Sequence, residues 1–181
     1  MFILYSLFIG LAIGFGLGGR AAGLSELTFR WRYAVLAGIA TQVLLFSTPL
    51  NEMVGPLGPP IYVASTALVL AAILVNRQIT GMPVVALGAI SNLSAIVANG
   101  GYMPADPGAM AALGQAIPES YSNSALVTNP VLWPLTDIFA LPGWLPFANV
   151  FSIGDVVIGI GVVVVIVAAM RGAPSAVALT H

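Results

Sequence analysis

Two aspartates carry the groups best suited to chemistry in this chain of 181 residues. Asp155 ends the segment FSIGD, and Asp137 lies in the segment LTDIF. Two carboxyl groups in contact share one proton, because like charges raise the pKa of one of them. Such a pair can activate water for hydrolysis. Asp137 and Asp155 are therefore the candidate catalytic residues of an aspartic hydrolase or peptidase.

Each aspartate also has a structural interpretation, which we favour. Ser152 and Asp155 are spaced as in a capping box, with an aspartate in place of the usual glutamate. A carboxylate in the first turn also favours the positive end of the helix dipole. Asp137 lies in a proline-rich segment, where aspartate commonly forms turns or is solvated. We therefore expect a non-enzymatic protein rather than an enzyme.

A second set of polar residues could form the site of a small carrier. Gln42 and Asn92 lie within apolar stretches, and Asn99 follows one of them. Hydrogen bonds between helices explain them equally well, because lipid offers polar side chains no other partner. None is charged, and since ionisable groups at mid-membrane usually mark ion routes, a proton-coupled pump is not expected.

Composition excludes several other classes of site. The chain has no cysteine, and its single histidine is the last residue, His181. Thiolate sites, histidine-pair metal sites and Ser-His-Asp triads are thereby excluded, and we expect no cofactor and no metal. The five basic residues are all arginine and form no basic run, so nucleic acid is not an expected partner.

The same composition indicates a membrane protein. Only 6% of the residues are charged and 59% are hydrophobic, whereas an ordinary soluble domain carries roughly 25% charged residues. Five apolar stretches approach the length of about 20 residues that a spanning helix needs. The first has its positive charge after the apolar stretch rather than before it, so we interpret it as a retained helix and not a signal peptide. We predict an all-α membrane protein with one transmembrane domain, 1–181, and about five spans in a compact bundle: 2–19, 33–49, 60–76, 79–98 and 151–170.

The positions of the arginines predict an orientation. With five alternating spans, every arginine falls on one side: Arg20, Arg30, Arg32, Arg77 and Arg171. The other side carries acidic residues and no basic one. The positive-inside rule then places the N-terminus outside and the C-terminus in the cytoplasm.

The segment 99–150 is predicted to cap the outer face of the bundle. Asp106 and Pro107 form the N-cap and first position of a short helix ending near Gly114. The later prolines prevent a further span, and the tryptophan and phenylalanine residues between them suit the headgroup layer. We expect this partly helical segment, rich in proline and aromatic residues, to lie on the outer leaflet. A candidate polar site on this face comprises Asn99, Asn149, Ser152 and Asp155.

Glycines in the first span predict a surface for close helix packing. Gly10, Gly14 and Gly18 repeat at every fourth position, which gives two overlapping GxxxG units. This face could pack against another helix of the same chain. It could equally bind a second copy or another membrane protein.

Three segments together resemble one family. They are ANGGYMP at 98–104, DIFALP at 137–142 and FANVFSIGD at 147–155. The chain is identified as a member of the bacterial membrane family called domain of unknown function 5317, and the resemblance covers essentially the whole chain. It implies a multi-pass protein of the bacterial cytoplasmic (inner) membrane and no particular activity.

A second resemblance is to the lipoprotein signal peptidase, signal peptidase II, which is an aspartic peptidase of the membrane. FSIGD is similar to the Phe-Asn-x-Ala-Asp stretch that opens the last helix of that family. Ser152 replaces its asparagine, and Ala95 stands where the family's other aspartate belongs. Asp137 would have to supply the second carboxyl group.

These observations lead to one favoured function and two alternatives. We favour a non-enzymatic accessory or structural subunit of a larger membrane complex, with membrane lipids and other subunits, or a second copy, as partners. The alternatives are an outer-leaflet aspartic hydrolase using Asp137 and Asp155, and a small carrier with a site near Gln42, Asn92 and Asn99.

Overall fold

The computed structural model describes residues 2–47, 53–113, 124–125 and 129–172. This part of the chain is mostly helical, and the predicted helical fold class is confirmed to that extent. Gly114, where the short helix of the cap was expected to end, and His181 lie outside the described residues. The helices are α1 (Phe2–Gly16), α2 (Ala22–Ser25), α3 (Arg32–Leu45), α4 (Gly58–Val75), α5 (Met82–Ala98), α6 (Pro107–Ala112) and α7 (Ile153–Met170).

Two of these segments are long and apolar enough to cross a membrane. They are α4 with the 3-10 turn that precedes it, Gly55–Val75, and α7. The apolar helices α1, α3 and α5 have 15, 14 and 17 residues. At 1.5 Å per residue, 14 residues cover only about 21 Å of a hydrocarbon layer about 30 Å thick. The described helices therefore weakly suggest a membrane protein, and they do not establish five spans.

The long helices pack in a row. α7 packs extensively against α1 on one side and α5 on the other, α5 packs against α4, and α4 packs against α3. α1 and α3 lie at the two ends of the row and share no extensive contact. The compact bundle expected from the sequence is thus not established, because each terminal helix has one main neighbour.

Glycine lets α7 approach both of its neighbours closely. A Cβ atom at Gly88 of α5 would lie 2.5 Å from the carbonyl oxygen of Gly154, which is too close for any other residue. On the opposite side of α7, a Cβ at Gly10 of α1 would lie 3.0 Å from Ile166, and one at Gly14 would overlap Met170. The glycines of α1 therefore contact a helix of the same chain.

Gly18 does not extend this packing face. α1 ends at Gly16, and Gly18 has a positive φ of 77° in the turn that follows. A Cβ atom at Gly18 would meet nothing within 4 Å. Gly18 follows Gly14 by four residues but does not share its packing face, because α1 ends before Gly18.

The long helices run between two ends of the molecule, which we call the arginine end and the cap end. At the arginine end, the amide of Arg20 donates to the carbonyl of Met170 at 2.7 Å. At the cap end, the ring of Phe2 stacks on Phe151 with centroids 4.5 Å apart, and the hydroxyl of Tyr5 donates to the carbonyl of Pro146. Successive connections between the long helices therefore alternate between the arginine end and the cap end of the molecule.

The cap contains short strands, which corrects the expectation of a purely α-helical chain. β1 (Met103–Pro104) pairs in parallel with β2 (Ser124–Ala125), and β3 (Phe139–Ala140) pairs antiparallel with β4 (Val150–Phe151). Proline is frequent in this segment and cannot continue a helix, so the backbone is extended and bonds between segments. α6 begins as predicted, since the side chain of Asp106 accepts the amide of Ala109 at 3.0 Å.

Candidate functional site

A partly buried cluster of polar side chains joins α5 to α7 at the cap end. Asn92 Nδ2 donates to Asp155 Oδ1 at 2.8 Å, and Ser152 Oγ donates to Asn92 Oδ1 at 2.8 Å. Ser152 Oγ also lies 3.2 Å from Asp155 Oδ2. We call these three residues, Asn92, Ser152 and Asp155, the Asn92 cluster. It links positions 60 and 63 residues apart in the chain.

The local sequence explains one half of this cluster. Ser152 is extended, at φ −102° and ψ 170°, and its Oγ accepts the amide of Asp155 at 3.1 Å. Asp155 Oδ2 in return accepts the amide of Ser152 at 3.0 Å. The predicted capping box is confirmed, and it satisfies two amides at the start of α7 that have no partner within the helix.

The other half depends on two glycines. A Cβ atom at Gly154 would overlap the amide oxygen of Asn92, so only glycine leaves room for that side chain. Gly88 lies one turn before Asn92 on α5 and allows the backbones to approach. Asn92, proposed from the sequence as part of a carrier site, is therefore positioned to bond α7.

Asp137 is buried in the cap and is within electrostatic range of Asp155. Its side chain is 6% exposed. Its amide donates to the carbonyl of Pro104 at 2.9 Å, and its carbonyl accepts the amide of Asp106 at 2.9 Å. These bonds form an isolated parallel bridge between Ala105 and Asp137, which extends the pairing of the cap beyond β1.

Burial changes the acidity of Asp137. Loss of hydration, followed by repulsion from the negative charge of Asp155, raises the pKa of Asp137 to about 7. The fold thus brings the two aspartates within electrostatic reach of each other, although they are 18 residues apart and only one belongs to a helix. Sequence reasoning could not place Asp137, because its position depends on the backbone bridge to Ala105, 32 residues earlier in the chain.

The two carboxyl groups are held differently. Asp155 accepts hydrogen bonds from Asn92 and Ser152 on both of its oxygens. Asp137 has a pKa near neutrality, so it can hold or release a proton at ordinary pH. A fixed acceptor beside a group that titrates near pH 7 is the arrangement that acid–base chemistry requires. A buried acid of this kind also makes the free energy of unfolding depend on pH.

The remaining predicted site residues lie in separate hydrogen-bonded groups. Gln42 Nε2 donates to Thr66 Oγ1 at 3.2 Å, between α3 and α4. Asn99 Nδ2 donates to the carbonyl of Val131 at 2.8 Å, and Asn99 Oδ1 accepts the amide of Val131 at 2.9 Å. The structure therefore does not bring Gln42, Asn92 and Asn99 together.

Asn149 is placed in the cap and not in the Asn92 cluster. Its Nδ2 donates to the carbonyl of Val150 at 2.6 Å, and its buried Oδ1 has no partner among the described residues. Its backbone carbonyl accepts the amide of Leu141. The predicted outer-face site of Asn99, Asn149, Ser152 and Asp155 thus divides into three places.

Some important positions were not singled out from the sequence. Gly88 and Gly154 allow the contact between α5 and α7, and Asn76 joins the end of α4 to the first connection. A signal for the glycines exists: Gly81 and Gly88 are seven residues apart, as are Gly154 and Gly161. That spacing places Gly154 and Gly161 on one face of α7, and Gly81, which immediately precedes α5, lies against Gly161. Among the described residues, no group of three or more acidic, histidine or cysteine side chains could hold a metal ion.

Comparison with known proteins places the chain among proteins of undetermined activity. Residues 26–167 match the model of a family described as "Family of unknown function (DUF5317)". No curated protein and no solved structure matches the chain. The similarity to signal peptidase II noted from FSIGD finds no support in these comparisons.

Proposed function

The chain belongs to the DUF5317 family, and we propose that it is a non-enzymatic, five-span protein of the bacterial inner membrane that serves as a subunit of a larger assembly. The N-terminus and the cap face outward, and the arginine end faces the cytoplasm. The positive-inside rule supports this orientation, because all five arginines are in the connections and the tail at the arginine end. The short helices α1, α3 and α5 would cross with their flanking residues completing the apolar length.

One observation carries the structural role: the side chains of the Asn92 cluster, with those of Asn99 and Gln42, bond to the protein itself. Asn92, Ser152 and Asp155 satisfy one another and the start of α7. Asn99 and Gln42 are likewise bonded to neighbouring segments. In lipid such bonds fix helix neighbours, because no water is available as an alternative partner.

The subunit role is supported by the exposed surface of α3. This helix buries only Gly38 and Leu45 and packs mainly on α4. The side chains of Tyr33, Leu36 and Val43 are 70%, 60% and 64% exposed. A terminal helix with so little packing within its own chain leaves a surface for a neighbouring membrane helix.

Single-cysteine crosslinking in the native membrane tests this proposal, since the chain has no cysteine of its own. We expect Leu36→Cys and Val43→Cys, labelled with a maleimide–benzophenone, to crosslink to one and the same protein on illumination, because benzophenone inserts into C–H bonds of any neighbouring chain. Phe8→Cys is a matched control, because Phe8 is 69% exposed on α1 at the other end of the row. Absence of any protein adduct from α3, or equal adducts from α1, would remove the subunit proposal.

A second candidate function is an outer-leaflet aspartic hydrolase that uses Asp137 and Asp155. The specific observation in its favour is the buried Asp137, whose pKa of about 7 reflects burial and the neighbouring Asp155. A carboxyl pair of this type would activate water as one group accepts and the other donates a proton.

The two functions are separated by mass-spectrometric comparison of the N- and C-termini of proteins exposed on the outer side of the inner membrane. Strains carrying Asp137→Asn and Asp155→Asn would both lose the same set of cleavage products if the pair hydrolyses peptides. Asn92→Ala in the Asn92 cluster is the control, since it perturbs the cluster and leaves both carboxyl groups. Unchanged termini in both aspartate variants would exclude the peptidase.

A further inference from the structure

A long apolar groove lies between α1 and α7 near the arginine end. Its volume is about 590 Å³. Its lining consists of Ile13, Val163, Val164, Val167, Ala168 and Arg171. Five of these six side chains are hydrocarbon, and the sixth carries a positive charge at the end of α7.

The groove extends along α7 for most of the thickness of one bilayer leaflet. Its α7 residues run from Val163 to Arg171, a rise of about 12 Å at 1.5 Å per residue. Half of a hydrocarbon layer about 30 Å thick is about 15 Å. A groove of that extent, apolar along its length and cationic at its end, matches one acyl chain with a phosphate above it.

Arg171 is available to an anion. It is exposed, and among the described residues it forms no ion pair. Among the described residues of the connections at the arginine end, Glu26 is the one acid, against five arginines. Arg20 enters the same end, since its amide bonds the carbonyl of Met170. A guanidinium group binds phosphate oxygens in a bidentate manner.

A second groove repeats this arrangement. It has a volume of about 500 Å³, lies between α4 and α5, and is bordered by Arg77 and Gln78 at the arginine end. The remaining lining includes Leu74, Ala86 and Ile90. Both grooves thus combine an apolar wall between two helices with an arginine at the arginine end.

We propose that the groove between α1 and α7 binds one chain of an anionic phospholipid, whose phosphate is held by Arg171. The inference rests on the membrane location in the proposed function, which places Arg171 in the headgroup layer of the cytoplasmic leaflet. It does not depend on a protein partner or on catalysis by Asp137 and Asp155. Membranes of this kind attract juxtamembrane arginine through their anionic lipids.

Lipid titration of the purified full-length protein in detergent tests the proposal, with native mass spectrometry as the readout. We expect phosphatidylglycerol to bind about fivefold more tightly than phosphatidylcholine, the effect of one arginine near an anionic headgroup. Arg171→Gln should abolish that preference. Arg32→Gln is the matched control, because it removes the same charge at the same end from α3, away from the groove, and should leave the preference unchanged.

A second variant separates the groove from general electrostatic attraction. Ala168→Phe keeps every charge and fills the groove, so it should weaken the binding of both lipids severalfold. Equal losses in Arg171→Gln and Arg32→Gln, or unchanged binding in Ala168→Phe, would overturn the proposal. Thermal unfolding in phosphatidylcholine confirms that each variant is folded before it is titrated. Because micelles impose no orientation and contain no partner, lipid binding can succeed or fail independently of the subunit proposal.

Discussion

Asn76 and Asn99 make the same three hydrogen bonds at opposite ends of the molecule. Each ends a long helix and donates from Nδ2 to the carbonyl four residues earlier, at 2.7 and 2.8 Å. Each also pairs with the amide and carbonyl of one distant residue, Arg30 for Asn76 and Val131 for Asn99, at 2.7–2.9 Å. An asparagine side chain offers both a donor and an acceptor, so it can join a helix end, with its unsatisfied carbonyls, to a passing segment.

Removal of either asparagine should loosen one end of the protein. We expect Asn76→Ala and Asn99→Ala each to lower the free energy of unfolding by about 1–3 kcal/mol, because each leaves backbone groups unpaired. Thermal unfolding in detergent measures the change. Ser94→Ala is the control, since Ser94 bonds only within its own helix, and it should change stability by less than about 0.5 kcal/mol. Equal effects in all three variants would contradict this role.

Gly154→Ala should destabilise the protein through the side chain of Asn92. The added methyl group overlaps the amide oxygen of Asn92, which we expect to cost about 1–3 kcal/mol. In the Asn92→Ala background that overlap is absent, so the double variant should be more stable than the sum of the single effects predicts. Gly16→Ala is the control, because a Cβ there meets nothing within 4 Å. Additive effects of Gly154→Ala and Asn92→Ala would show that the two residues are not in contact.

The stability of the protein should fall as pH rises from about 4 to about 7. The pKa of Asp137 rises from 3.8 to about 7 on folding, so the folded state binds the proton more tightly than the unfolded state does. The slope is at most about 1.4 kcal/mol per pH unit, and it vanishes above the folded pKa. Asp137→Asn should remove this dependence and be more stable than the wild type at pH 8. Unfolding measured from pH 4 to 8 checks this, and an unchanged slope in the variant would refute it.

The accessibility of single cysteines should distinguish the arginine end from the cap end. We expect an impermeant maleimide to label Ala112→Cys in intact cells and to label Ala21→Cys only after the membrane is opened. Both positions are exposed, one on α6 in the cap and one beside α2 at the arginine end. The reverse pattern would mean that the cap faces the cytoplasm.

Local features of the sequence predicted their counterparts in the structure. The capping box of Ser152 and Asp155 and the N-cap Asp106 were readable, because both bonds join residues three positions apart. The glycine spacing of α1 was readable as a packing face only as far as Gly14, because the helix ends before Gly18. The short strands of the cap were missed, since two-residue strands leave no period-two pattern.

The sequence by itself determined the apolar, mostly helical character of the chain and the placement of all five arginines in alternate connections and the tail. These properties follow from composition and from contacts between residues close in the chain. Only the tertiary structure decided that Asn92 bonds Asp155 rather than Gln42 or Asn99, and that Asp137 is buried. The physical reason is that these contacts depend on which helices are neighbours. Glycine at positions 88 and 154 permits α5 and α7 to approach closely. The local sequence around each glycine does not identify the helix against which it packs.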